Sequence, residues 1–86
     1  MSNKVGYIDV DVSGIALENT ENGAYYSDAI SITIPVNAIP VSAVLYGSAD
    51  IGVDVILHTQ STIRLWAIKS LTMNNQRKVR VVYYIP

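Results

Sequence analysis

Asp9 and Asp11 stand two residues apart in KVGYIDVDVSG, the spacing that puts both carboxylates on one face of a strand. With Glu18, Asn19, Glu21 and Asn22 from the loop that follows, they could begin a calcium site, but Ca²⁺ takes about 6–8 oxygens gathered from several loops. A solvated strand face before a polar loop is the commoner meaning, and no metal is assigned. His58, the only histidine, follows Asp54 by four residues. On a strand that leaves them on one face but roughly 13 Å apart, too far for the hydrogen bond of a Ser-His-Asp triad. The sequence has no Gly-x-Ser-x-Gly elbow, and its glycines are scattered singly, so no phosphate loop can be built from them. Tyr46-Gly47-Ser48-Ala49-Asp50 reads as a turn. No catalytic residue and no cofactor is assigned, and the expectation is a protein without enzymatic activity.

Binding chemistry has more to work with. Tyr25, Tyr26 and Asp28 follow the polar loop that ends in Gly23, and Arg64 lies further along. Aromatic faces with planar hydrogen-bonding groups are what a sugar needs, so these four are candidate glycan contacts. Nucleic acid is not expected. The net charge is −1, and Arg77, Lys78 and Arg80 read as a solvated rim beside a hairpin loop. Tyr83 and Tyr84 fall on opposite faces of a strand and cannot form one stacking platform.

The elements that must position these groups are strands. Lys4 to Ser13 alternates Ile8, Val10 and Val12 with Tyr7, Asp9 and Asp11. After the turn-rich GIALENTENG, YYSDAISITIP sets Ile30, Ile32 and Ile34 against Ser31 and Thr33. Pro35 and Pro40 bracket a connector outside any central strand. Further strands span Val41 to Tyr46, Ile51 to His58, about Thr62 to Ser70 and about Lys78 to Ile85. Nothing reads as a helix of useful length. The expected fold is all-β, one domain over residues 1–86, a small antiparallel β-sandwich of jelly-roll type with six to eight short strands.

Size makes that fold marginal alone. A domain near 86 residues buries only about 60% of the surface its unfolded chain exposes. There is no cysteine to staple it, half the residues are hydrophobic, and 15% are charged against about 25% in an average domain. Several strands also have no wet face. If Ile63, Leu65, Val79 and Val81 fill the core, then Trp66, Ile68, Val82 and Tyr84 emerge on the other side. A small barrel with loops folded over it would cover them within one chain. Self-association would cover them between chains, and it is the favoured reading, with Tyr46, Trp66, Ile68, Val82 and Tyr84 at the subunit contact.

TIRLWAIKS, a short polar loop and a terminal VRVVYYIP resemble the ends of phage tail-fibre and baseplate (receptor-binding) C-terminal domains, and SDAISITIPV resembles their middle portion. The likeness covers roughly residues 27–86 and is one of pattern. It implies a homotrimer, in which the two-sided strands meet at a three-fold contact. It also implies a virion structural or host-attachment role in a tail fibre, baseplate or head appendage, with other virion proteins as partners and a host cell-surface glycan as a further one. Fibre tips usually follow a shaft, whereas here a strand follows Met1 almost at once. The alternative is a small monomeric carbohydrate-binding module. No segment approaches the ~20 apolar residues of a membrane span, so no membrane insertion is expected. The start, MSNKVGYIDVDVSG, lacks a signal peptide's basic and apolar regions, which points to synthesis in the host cytoplasm or to a fragment of a longer protein.

Overall fold

A computed structural model describes residues 4–47 and 52–86, so Ser48, Ala49 and Asp50 of the expected turn, and Ile51 at the expected start of the fourth strand, lie outside the described residues. Every regular element described is a strand. In chain order they are β1 (Lys4–Asp11), β2 (Ala16–Leu17), β3 (Asn19–Glu21), β4 (Ala24–Tyr26), β5 (Ile30–Ser31), β6 (Ile39–Tyr46), β7 (Val53–Thr59), β8 (Thr62–Ala67), β9 (Leu71–Thr72) and β10 (Lys78–Ile85).

Two main antiparallel sheets form around β10 and β8; one face of β8 is buried throughout, and that of β10 is buried at Val79 and Val81 and half-buried at Tyr83 and Ile85. In the first, β10 lies between β1 and β6. In the second, β8 is central, with β7 on one side and β4 and β5 sharing the other; β3 lies outside β4. The short pair β2–β9 closes one end, tied further by Met73 N–H to Ile15 O at 2.8 Å and Gly14 N–H to Met73 O at 3.2 Å. First strand pairs with last, and the chain crosses between sheets after β1, β5, β6 and β9. That is the winding of a jelly roll. Six strands carry it, counting β4–β5 as one, and they match those read from the sequence; β2, β3, β9 and the split within β4–β5 add the rest.

The period-two pattern explains the core. Ile8 and Val10 from β1, Ala43 and Leu45 from β6, Val79 and Val81 from β10 meet Val55, Ile63, Leu65 and Ala67 from the other sheet in one cluster. Val12, Leu17, Ile63, Leu65, Val79 and Val81 are fully buried, each worth about 1.5–3 kcal/mol relative to exposure. The molecule measures 16 Å along its shortest axis, enough for two sheets about 10 Å apart and nothing more. Only one hydrophobic layer exists.

Two local features depart from the sequence reading. The expected strand through YYSDAISITIP is broken at residues 27–29, where the partner position on β8 slips by one and leaves a bulge. Ser27, wholly buried, makes the break tolerable. Its N–H donates to Leu65 O at 2.9 Å, its Oγ accepts from Leu65 N–H at 3.0 Å and donates to Asp28 O at 2.9 Å. Pro40 lies inside β6 rather than in a connector. It is accommodated because β6 is an edge strand and because Val41 bulges out between the pairs Ser42–Val82 and Pro40–Tyr83.

Ser27→Ala strands the buried Leu65 N–H. The expected loss is about 1–3 kcal/mol, read as a lower midpoint in urea unfolding with an unchanged slope.

Candidate functional site: two outer faces with a clamped arginine each

Since both sheets turn one face to the shared core, their other faces point away from each other. The outer face of β1–β10–β6 can be read row by row from the register. Val5 on β1 lies opposite Tyr84 on β10, which lies opposite Ile39 on β6. The next row is Tyr7, Val82 and Ser42; then Asp9, Arg80 and Val44; then Asp11, Lys78 and Tyr46. Val5, Tyr7, Ile39, Val44 and Tyr46 keep between 37% and 72% of their surface exposed. Exposed apolar side chains gathered on one sheet face are the kind of patch that marks an interaction surface.

One cation sits in the middle of it. Arg80 Nε and Nη2 donate to Asp9 Oδ1 and Oδ2 at 2.9 and 3.1 Å, a two-pronged pairing across the strands. The guanidinium carbon lies 4.1 Å from the centre of the Tyr7 ring and 5.4 Å from that of Tyr46. The Arg80 hydrogen bond holds the Asp9 carboxyl below the usual carboxylate value, with a smaller contribution from a hydrogen bond with Tyr46. Partial burial, then Asp9, push the Tyr46 hydroxyl up, and Asp9 raises Arg80 further. The charge is neutralised locally, with the guanidinium over the Tyr7 ring. Beside it Val44, Tyr46, Arg80 and Val82 line a shallow depression of about 320 Å³.

The outer face of β3–β4–β8–β7 carries a similar device. Arg64 Nη2 donates to Glu21 Oε2 at 2.7 Å, its Nε donates to Ser27 O at 3.1 Å, and its guanidinium covers the Tyr26 ring at 4.5 Å. In the neighbouring row Asn19, Tyr26, Trp66 and Asp54 follow one another across four strands. Asn19 Nδ2 donates to Asp28 Oδ1 at 2.8 Å, beside a cleft of about 290 Å³ lined also by Ile15, Glu18 and Ile30.

These placements sort the residues picked from the sequence. Tyr46, Val82 and Tyr84 share the outer face of β1–β10–β6. Trp66 lies on the outer face of the other sheet, and Ile68, 76% exposed, just beyond the end of β8, so the five do not form one patch. Of the glycan candidates, Tyr26, Asp28 and Arg64 are neighbours, but Tyr25 points the other way and packs on the core. Tyr26 lies under Arg64, and Arg64 is held by Glu21 and Ser27. Of the expected solvated rim, Lys78 and Arg80 are exposed, Arg80 being paired with Asp9, but Arg77 is not: it is 5% exposed and its carbonyl accepts from Val12 N–H. Asp9 gives both oxygens to Arg80, and Asp11 Oδ1 accepts from Ser13 N–H at 2.9 Å, so neither presents an open pair to calcium. Asp54 Oδ1 accepts from Val55 N–H at 2.8 Å.

Sequence reasoning missed Val5, Tyr7, Ile39, Val44 and Asp9 as parts of this surface. The signal was faint but present: Tyr7 and Asp9 alternate together, and only a carboxylate opposite Arg80 would let that cation sit among valines. Comparisons with protein-family models, curated proteins and solved structures gave no match.

The Asp9–Arg80 pair has a defined acid signature. A carboxyl whose value is lowered on folding contributes stability that is full above its ordinary value, 3.8, and is lost as pH falls through the lowered one. The stability gap between the unmodified protein and Asp9→Asn is expected to be flat from about pH 5 to 8 and to close below pH ~4. Urea titrations at each pH measure it.

Proposed function

We propose that this chain is a non-catalytic, self-associating β-module of a phage virion, in a structural or host-attachment role, and that copies meet through the outer face of β1–β10–β6. One observation carries the reading: a three-stranded sheet with a single-layer core on one side exposes valine, isoleucine and tyrosine on the other, with its one central arginine already neutralised. Tyr and Arg at the centre of an apolar patch are the residue types that dominate binding energy at protein contacts. Locally neutralised arginine also lowers the cost of desolvating the patch.

The phage assignment rests on the resemblance of TIRLWAIKS and VRVVYYIP to fibre and baseplate ends, which also implies three copies around an axis and a place in the virion. Among the described residues no helix is long and apolar enough to cross a membrane. The carbohydrate-binding alternative has less support, because Tyr25 faces the core and the Tyr26 ring is covered.

Val82 lies in the floor of the face and is half-buried. Val82→Asp places a carboxylate where the contact would close, so the variant is expected to run as a monomer or to precipitate. Sizing with light scattering reads the outcome; an unchanged mass and unchanged unfolding midpoint would remove this face from the account.

A further inference from the structure

A sandwich leaves four edges, and natural sheets blunt them against unwanted pairing. Here most are blunted. β6 carries Pro40 and the Val41 bulge and lies against β7 at the side of the sandwich. β7 breaks register between Leu57 and Thr59. β3 is three exposed polar residues, and β5 is two residues long. β1 differs. All eight of its residues pair with β10 in unbroken register, it holds no proline and no bulge, and no described strand lies on its other side. Its two carboxylates are engaged elsewhere, Asp9 by Arg80 and Asp11 by Ser13. Its exposed apolar residues, Val5 and Tyr7, have no role in the core.

We infer that β1 pairs antiparallel with β1 of a second copy, about a two-fold axis at Tyr7. The strand is complementary to itself in that register. Tyr7 opposes Tyr7 of the second copy, Val5 opposes Asp9, Gly6 opposes Ile8 and Lys4 opposes Val10, so like faces meet and no like charges stand opposite. Centring on Ile8 would bring the two Asp9 carboxylates to diagonal positions, and centring on Gly6 would pair fewer of the described residues. The Tyr7 register is the longest that keeps the carboxylates apart. It joins two three-stranded sheets into one of six and makes their apolar outer faces continuous.

The inference rests on the self-association reading but uses the edge rather than the face, and the two separate experimentally. The chain has no cysteine, so an introduced one reports alone. Tyr7→Cys would oppose its own copy with Cα atoms about 4.5–5.5 Å apart, within disulfide reach of about 4.4–6.8 Å. Val5→Cys would be separated from its copy by four residues, roughly 13 Å. Under mild oxidation Tyr7→Cys is expected to give a covalent dimer on a non-reducing gel and Val5→Cys to stay single. Failure of Tyr7→Cys to link, or equal linking of both, overturns the edge pairing. The double variant Tyr7→Cys with Val82→Asp still links if the edge acts without the face. Loss of linking there, with linking in the single variant, would make the edge contact a by-product of the face and overturn the inference as stated. In the unmodified protein, both alternating sets of β1 amides are expected to resist hydrogen exchange; rapid exchange at every second residue would contradict the pairing independently of any substitution.

Discussion

Asp9 holds the Arg80 guanidinium beside the rings of Tyr7 and Tyr46, and the character of the whole outer sheet follows from that pairing. Without a carboxylate opposite it, an arginine at the centre of β10 would extend into water and carry its hydration shell onto the face. Clamped, its charge is paired with Asp9 and its guanidinium lies over the Tyr7 ring. The pair is open to solvent and contributes little to folding by itself. Its effect is on what the face can bury.

The second consequence comes from thickness. Two sheets with a single hydrophobic layer between them leave every strand with a second side, and the described residues include no helix to lay over it. The two sheets answer differently. On β3–β4–β8–β7, the Arg64–Glu21–Tyr26 network and the Asn19–Asp28 bond cover part of the surface with polar contacts, beside a half-buried Trp66 and an exposed Ile56. On β1–β10–β6, the clamped Arg80 lies beside the exposed Tyr7, Val44 and Tyr46, with Asp11 and Lys78 in the next row. The same device of arginine, carboxylate and tyrosine thus stands on both outer faces, in a more polar setting on one and a more apolar one on the other, where β1 forms the open edge.

Much of the fold was legible because alternation and burial agree. Ile8, Val10 and Val12, then Ile63, Leu65 and Ala67, then Val79 and Val81 all face inward as their period requires. What period two cannot convey is which strands become neighbours. Tyr7 and Asp9 acquire their meaning only when the first strand lies beside the last, and nothing local in KVGYIDVD announces Arg80. The same gap separated Trp66 from Tyr46 and Val82, since an outer face in one sheet looks like an outer face in the other. Ser27 was illegible for another reason. A serine that substitutes for one rung of a ladder is indistinguishable in sequence from a polar residue on a wet face. Arg77 misled because charge is a good guide to exposure only where the backbone around it is exposed too.

The central claim, that the outer face of β1–β10–β6 is covered by other copies, is most directly tested by the solution mass of the unmodified protein. Light scattering behind a sizing column, over a wide range of concentrations, should return an integral multiple of the 9.4 kDa chain. Three chains is the value for a contact through the face alone, two for the edge alone and six for both. A mass of one chain at every concentration would contradict the account, because the exposed valines and tyrosines of that sheet would then be left facing water.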